Sequence, residues 1–242
     1  TFFYGGMILD ERQFIGRDHL VQQLLEQLPR RVNHLLLGER RIGKSSLLFH
    51  LARSLNGATD DRGVRIQALY IDLQGMQPAK PSGWFKQVLR AAREAAQVSQ
   101  LPLPAGDACS VDKFQDLCWS WGDAQSRLVL LLDEGELMFD PQHEFTVEDF
   151  INPLRSLVNS GHLTLCIACR AIPEQDGHWF QLLSPLLPVL RTTYLGLWED
   201  GEAATLLDRA GAVLAPTERT WLLRQAGTYP GLLQLSGLIV TS

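Results

Sequence analysis

The chain has 242 residues, of which 45% are hydrophobic and 20% are charged, and its formal net charge is −5. This composition is typical of a globular domain, and the acidic balance gives no electrostatic footprint for nucleic acid, which favours a basic protein face. No run of about 18 apolar residues occurs, so we expect no membrane-spanning segment. The chain begins with Thr1 rather than Met, so we expect it to be part of a longer protein whose missing start can hold a targeting segment or another domain.

The spacing of apolar residues predicts strands that alternate with helices up to about residue 198. The predicted strands cover residues 34–37, 64–73, 128–132, 163–169 and 192–197. The predicted helices cover residues 19–28, 46–52, 84–96, 114–125 and 147–160, followed by a purely helical region at 199–211, 217–226 and 230–240. The alternation predicts a three-layer α/β domain with a parallel sheet over residues 1–198. The helical region predicts a small subdomain over residues 199–242, which we expect to be incomplete.

The most informative segment is residues 38–45, which fit the P-loop pattern G-x-x-x-x-G-K-[ST] between a predicted strand and a predicted helix. In a P-loop, backbone N–H groups and the positive end of the helix dipole hold the phosphates of a nucleotide. We therefore expect Lys44 to reach the β- and γ-phosphates and Ser45 to ligate Mg²⁺. The residues expected to surround the phosphates are Gly38, Glu39, Arg40, Arg41, Ile42, Gly43, Lys44, Ser45 and Ser46.

A second acidic signal follows the apolar run 128–132, which ends in Asp133 and Glu134. Ligands of open α/β sheets bind at the carboxyl ends of the strands, so these carboxylates are expected beside the P-loop. We expect Asp133 to hold the Mg²⁺ shell and Glu134 to orient and deprotonate the attacking water. Glu136 is the weaker candidate for this base by spacing. A solvated Asp-Glu-Gly turn is the alternative interpretation, and the P-loop upstream argues against it.

The next predicted strand, 163–169, is followed by Arg170 at the same edge of the sheet. An arginine there can contact the γ-phosphate and report its hydrolysis, and the alternative is an ordinary surface arginine. Asp72 ends the strand over 64–73 at this edge, and we assign it a supporting role. Cys166 and Cys169 form a C-x-x-C on paper, but positions three apart on a strand point to opposite faces. We therefore expect free thiols, which suits a cytoplasmic protein.

These segments and their order resemble the AAA+-related STAND ATPases, in particular bacterial members close to origin-recognition-type and archaeal ATPases. Residues 14–17, Phe-Ile-Gly-Arg, resemble the F-x-G-R segment that precedes the P-loop in this group. Residues 4–8 resemble its Y-G-x-P-[IV] lead-in, with Met7 in place of the proline. Residues 227–230 resemble the G-G-x-P turn of its helical lid, with Thr228 in place of a glycine. The P-loop, Asp133-Glu134 and Arg170 match the group as well.

The resemblance implies a five-stranded sheet of order 5-1-4-3-2, a helical lid, and ATP or ADP with Mg²⁺ as ligands. It implies that Phe14, Ile15, Arg17 and Pro230 lie by the adenine. It further implies a switch that hydrolyses ATP slowly, forms a homo-oligomer in the ATP state and activates a fused or associated effector. Oligomers of this kind often supply an arginine finger in trans, for which Arg155 and Arg191 are candidates; a solvated surface role is the simpler interpretation of each.

Two other functions stay open from the sequence. Relatives with the same core act on nucleic acid as transposition regulators or loaders, which would require basic surface. The pairs Arg30-Arg31 and Arg40-Arg41 are the small basic clusters available, and solvated loop charge is the simpler interpretation of them. The second is a nucleotide-binding scaffold that never turns over; the full set of Lys44, Ser45, Asp133 and Glu134 argues against it.

Overall fold

The computed structural model describes residues 2, 6–74, 81–103, 110–139, 145–170, 178–210 and 214–241. Five strands form one parallel sheet in the order β2-β3-β4-β1-β5. Their bounds are β1 Asn33–Leu37, β2 Arg65–Asp72, β3 Ser126–Asp133, β4 Leu163–Cys169 and β5 Leu190–Tyr194. This order, read from the other edge, is the 5-1-4-3-2 arrangement that the resemblance implied, so the predicted fold class is confirmed.

Helices cover both faces of the sheet. The described helices are α1 Asp18–Gln27, α2 Lys44–Leu55, α3 Pro81–Ser99, α4 Val111–Asp123, α5 Asn152–Asn159, α6 His178–Leu183, α7 Asp200–Arg209, α8 Pro216–Ala226 and α9 Pro230–Val240. One hydrophobic core lies between the sheet and α3, α4 and α5, and a second lies between the sheet and α1 and α2. Strands β1, β3 and β4 are buried along their whole length because both faces are covered.

The two cores confirm the prediction for the C-x-x-C. Cys166 lies in the core against α1 and α2, whereas Cys169 lies in the core on the other face. Both thiols are free, and burial raises the pKa of each. Cys109 and the Tyr4-Gly5 part of the lead-in lie outside the described residues.

Local departures from the predicted elements have identifiable causes. Helix α1 begins at Asp18, one residue before the predicted start at residue 19, and Arg17 occupies the capping position with a left-handed φ of 64°. The helix expected over 147–160 begins with the π-helical turn Val147–Ile151 before α5. Helix α6 was missed because it is only 6 residues long and stands before a proline-rich segment that indicates a loop.

Helices α7, α8 and α9 follow β5 and enclose a third hydrophobic cluster that also includes Ile15 and Trp198. Helix α7 begins with a capping box, in which the Glu202 carboxylate accepts the Glu199 N–H at 2.8 Å. The C-terminal helices are thus packed on the segment that precedes α1. No helix in the described ranges is long and apolar enough to cross a membrane.

Candidate functional site

A cavity of about 440 Å³ opens at the carboxyl edge of the sheet, where the sequence predicted the site. Four parts of the chain form its walls: the N-terminal segment, the P-loop, the ends of β2 and β3, and the start of α9. The structure brings together there most of the predicted site residues: Phe14, Ile15, Arg17, Arg40, Arg41, Ile42, Gly43, Lys44, Ser45, Ser46, Asp133, Glu134 and Pro230. Gly38, Glu39 and Arg170 do not line this cavity, although all three contact residues that do.

The P-loop connects β1 to α2 around a buried lysine. Gly43 has a φ of 102°, a conformation that glycine adopts at low cost, and it lets α2 begin at Lys44. The Lys44 side chain is buried, and its Nζ donates to the carbonyls of Gly38 at 2.7 Å and Glu39 at 3.0 Å. In this structure the ammonium is therefore bonded to carbonyl groups of the P-loop itself. It lies at the N-terminus of α2, where the positive end of the helix dipole also favours anions.

Three carboxylates surround this lysine. Burial lowers the pKa of Lys44, while the charges of Glu136, Glu134 and Asp133 act in the opposite direction. Arg170 is a second cation beside these carboxylates and forms ion pairs with Glu134 and Glu136. The site therefore contains several charges of both signs close together. Perturbed pKa values in such a cleft are typical of functional sites.

Asp133 is the most enclosed member of the set, with 2% of its surface exposed. Its Oδ2 accepts the Tyr70 hydroxyl at 3.0 Å, its Oδ1 accepts the Glu134 N–H at 3.0 Å, and Ser45 also bonds to it. Burial raises the pKa of Asp133, and these hydrogen bonds oppose that rise. The parallel register places Asp72 beside it on β2.

The Ser45 hydroxyl and the Asp133 carboxylate fit a magnesium ion by their chemistry. Both offer hard oxygen ligands, and their hydrogen bond brings the two together at the wall of the cavity. Within the described residues, no cluster of three or more His, Cys, Asp or Glu could hold a metal by itself. Mg²⁺ usually keeps several waters and uses one or two protein ligands together with substrate phosphates, so Ser45 and Asp133 offer as many ligands as it uses.

Glu134 lies directly after β3, with a left-handed φ of 53°. Arg170 donates from its Nη2 to the Glu134 Oε2 at 3.2 Å, and its Nε lies 2.9 Å from the Glu136 Oε1. Glu134 and Arg170, which the sequence predicted at the same edge, are thus in direct contact. Glu136 is the partner that sequence reasoning had treated only as a weaker candidate for the base.

The segment with the F-x-G-R pattern connects the P-loop to the C-terminal helices. The Arg17 guanidinium donates to the carbonyls of Ile42 at 2.9 Å and Gly196 at 2.8 Å, and its backbone N–H donates to the Glu202 carboxylate. Burial lowers the pKa of Arg17. Phe14 stacks on His50, with ring centroids 4.5 Å apart.

The start of α9 lies against the P-loop. Pro230 is its first residue and is buried, and the Tyr229 hydroxyl donates to the Arg40 carbonyl. A Cβ at position 231 would stand 2.7 Å from the Arg41 Cβ, so Gly231 permits this close approach. The C-terminal helices are therefore in direct contact with the loop that the motif assigns to phosphates.

Sequence reasoning did not identify several residues of the cavity wall. Tyr70, Trp198 and Gln234 line it, and Tyr70 holds Asp133. The phenol of Tyr70 was a weak signal, because aromatic residues are common in strands for packing alone.

Ser46 uses its Oγ to accept the Ile8 N–H at 3.0 Å and so fixes the N-terminal segment on α2.

The two arginines considered as fingers lie away from the cavity. Arg155 is exposed on α5. Arg191 is at the start of β5, the opposite edge of the sheet from the P-loop, and donates to Gln27 Oε1 at 3.4 Å. An action in trans by either residue stays a prediction.

Comparison with solved structures finds the same fold in several proteins, one of them described as an ATPase. A Walker-type ATPase of Pyrococcus abyssi superposes with a TM-score of 0.68 at 14% identity, over 95% of this chain and 68% of the other. The Aeropyrum pernix ORC2 protein in its ADP form gives 0.65 at 14% identity, over 97% and 66%. The Aeropyrum pernix ORC1 protein in complex with DNA gives 0.58 at 16% identity, over 93% and 60%. The present chain thus spans about two thirds or less of the length of these relatives.

These identities are too low to carry more than the fold. No curated protein matches the sequence. The model of the novel STAND NTPase 1 family, however, matches residues 8–175, which is more than half of the chain and includes the P-loop, Asp133, Glu134 and Arg170. The chain therefore belongs to the novel STAND NTPase 1 family, a group of P-loop NTPases.

Proposed function

We propose that the protein is a Mg²⁺-dependent ATPase that turns over slowly and works as a molecular switch. The observation that carries the proposal is that one cavity has walls from both the P-loop and the start of α9. A nucleotide bound there would contact the α/β part, residues 1–198, and the lid, residues 199–242, at the same time. Such a ligand can shift the balance between two arrangements of these parts if its affinity for them differs.

The phosphate end of the nucleotide is assigned to the P-loop. Lys44 would give up its bonds to the Gly38 and Glu39 carbonyls and turn toward the β- and γ-phosphates, which are stronger acceptors because they are charged. Mg²⁺ would be held by Ser45 and Asp133 and, when bound, would neutralise phosphate charge. Tyr70 would keep the Asp133 carboxylate in place through its hydroxyl.

Glu134 is assigned the general base. Its carboxylate faces the cavity but is paired with Arg170 in this structure. It can accept a proton from the attacking water once that pairing is broken. A base that is occupied until substrate arrives suits an enzyme whose task is timing rather than throughput.

The nucleobase of the nucleotide is assigned to the apolar wall formed by Phe14, Ile15 and Pro230. Adenine is preferred because the resemblance to STAND ATPases implies it, and no guanine-reading N-K-x-D pattern occurs in the sequence. Arg17 would support this wall indirectly, since its guanidinium is already engaged with two backbone carbonyls. We further propose that the ATP state self-associates and activates a fused or associated effector.

Light scattering on the Glu134→Gln variant tests the switch, because this variant is expected to bind ATP without hydrolysing it. We expect a larger particle with Mg-ATP than with Mg-ADP, and no increase when Lys44→Ala is added. An equal mass with both nucleotides, despite tight binding, would contradict the switch. Hydrolysis by Glu134→Gln at the parent rate would show that Glu134 is not the base.

The same sample tests the alternative, a nucleic-acid-associated ATPase such as a transposition regulator or loader. The net charge of −5 does not favour it. Binding of duplex DNA that requires ATP and weakens steeply with salt would support this alternative instead of the effector switch. No DNA binding at low salt, with or without ATP, would eliminate it.

A further inference from the structure

Arg170 is shared by two carboxylates. Its Nη2 donates to Glu134 at 3.2 Å, and its Nε lies 2.9 Å from Glu136. The Arg170 side chain is 49% exposed, whereas those of Glu134 and Glu136 are only 22% and 20% exposed. The guanidinium therefore lies at the rim of the site, where it is hydrogen-bonded to Glu134, a residue of the cavity wall, and ion-paired with Glu136.

The backbone between Glu134 and Glu136 forms a tight turn that brings both carboxylates to Arg170. Glu134 adopts a left-handed φ of 53°, and the chain then passes close over the end of β4. A Cβ at position 135 would lie 2.9 Å from the Cys169 Sγ and would overlap the Ile167 side chain. Gly135 is thus required for the turn that carries Glu136 back to the residue that follows β4, which is Arg170.

The two carboxylates differ in their relation to the cavity. Glu134 lines it, whereas Glu136 does not. Both Glu136 oxygens are buried and accept no hydrogen bond among the described residues; Arg170 forms an ion pair with Oε1, and the charge of Lys44 also acts on this carboxylate. An anion that enters the cavity can therefore replace Glu134 as a partner of Arg170 while the contact with Glu136 persists.

We propose that Glu136 is a positioning residue that holds Arg170 at the rim of the site, so that Arg170 exchanges Glu134 for the terminal phosphate of a nucleoside triphosphate. This inference rests on the proposed function of the site. The exchange gives Arg170 a contact that a diphosphate cannot offer, and it frees Glu134 at the moment when a triphosphate is bound. Glu136 thereby sets how well the site distinguishes triphosphate from diphosphate.

The test is the ratio of the dissociation constants of fluorescent ADP and ATP, each measured with Mg²⁺. Removing a negative charge near the terminal phosphate by itself favours ATP over ADP, so a fall in the preference for ATP runs against this general effect and reports the loss of the Arg170 contact. We expect Glu136→Gln to lower the preference for ATP by about tenfold, the value of one charge-assisted contact. Arg170→Met should lower it by at least as much, and the double variant should lower it no further, because both residues act through one contact.

Two further variants keep the test decisive. Arg170→Lys retains the charge but loses the planar fork of donors, so it should also lose most of the preference. Glu148→Gln removes an exposed carboxylate that does not line the cavity and should leave the ratio unchanged. Thermal melting of each variant shows whether the fold is retained.

The outcomes separate this inference from the proposed function. Equal changes in ADP and ATP affinity with Glu136→Gln, or additive effects of Glu136→Gln and Arg170→Met, would overturn the role of Glu136 and leave the nucleotide site standing. A parent protein that binds neither nucleotide, or whose binding survives Lys44→Ala, would overturn both.

Discussion

The two edges of the sheet carry buried polar side chains in opposite ways. At the carboxyl edge, Lys44 and Asp133 border a cavity and are bonded to groups that a ligand can replace. At the amino edge, His34, Thr164 and Arg127 are each the second residue of their strands and are 0–2% exposed. None of these three lines the cavity.

The buried polar side chains at the amino edge contribute to the fold and not to a binding site. Arg127 and Asp60 form an ion pair at 3.3 Å with side chains only 2% and 7% exposed, and Arg127 also donates to the Pro29 carbonyl. Both ring nitrogens of His34 and the Thr164 Oγ1 have no hydrogen-bond partner among the described residues. A buried polar or charged side chain therefore does not identify a site by itself; access from a cavity and partners that a ligand can replace do. Substitutions at the carboxyl edge should therefore affect binding, and those at the amino edge should affect stability.

The largest effect is expected from Lys44→Ala. Its ammonium would make two charge-assisted hydrogen bonds to phosphates, each of about 1.5–3 kcal/mol, so ATP affinity should fall by about a hundredfold or more. The fold should be retained, because Arg170 still faces the carboxylates and the cavity admits water. Titration with fluorescent ATP and thermal melting check both statements, with Lys86→Ala on the exposed side of α3 as control. Strong unfolding without a specific loss of ATP affinity would contradict the assignment of Lys44 to phosphate binding.

Arg127→Met should produce the reverse result at the other edge. It leaves Asp60 largely buried without its cation, for which a loss of about 3–5 kcal/mol of unfolding free energy is typical. ATP affinity of the folded fraction should be unchanged within about twofold. Chemical denaturation measures the loss, and Asp61→Asn is the matched control. It breaks the exposed pair of Arg30 and Asp61, whose side chains are 59% and 74% exposed, and should cost no more than about 1 kcal/mol.

The carboxyl edge could be predicted from the sequence because its chemistry is local. The P-loop pattern needs only consecutive residues, and a parallel sheet brings Asp133 and Arg170 to the same edge from their positions at strand ends. The strand order itself came from the resemblance and not from periodicity. Alternation of strands and helices indicates a parallel sheet but leaves the order of its strands open.

The contacts between distant segments could not be predicted. The bond of Tyr70 to Asp133 spans 63 residues, and the bond of Arg17 to Glu202 spans 185. No local pattern encodes such pairs, because they depend on how whole elements pack. The same is true of the amino edge: Arg127 is the second residue of a strand in the sequence, and only the tertiary structure reveals its pairing with Asp60.

The smallest effect concerns His34 and depends on pH. Burial, with a contribution from Arg191, lowers the pKa of His34 from 6.5 to about 4. Between these values the unfolded chain binds a proton that the folded protein does not, so stability is lost as the pH falls from about 6.5 to about 4. The full shift corresponds to at most about 3 kcal/mol. In His34→Phe this part of the acid destabilisation should disappear, whereas His19→Gln, at an exposed position, should follow the parent. Chemical denaturation at pH 7 and pH 5 measures how much unfolding free energy is lost between the two pH values. If His34→Phe loses as much as the parent, His34 is not held neutral at the amino edge.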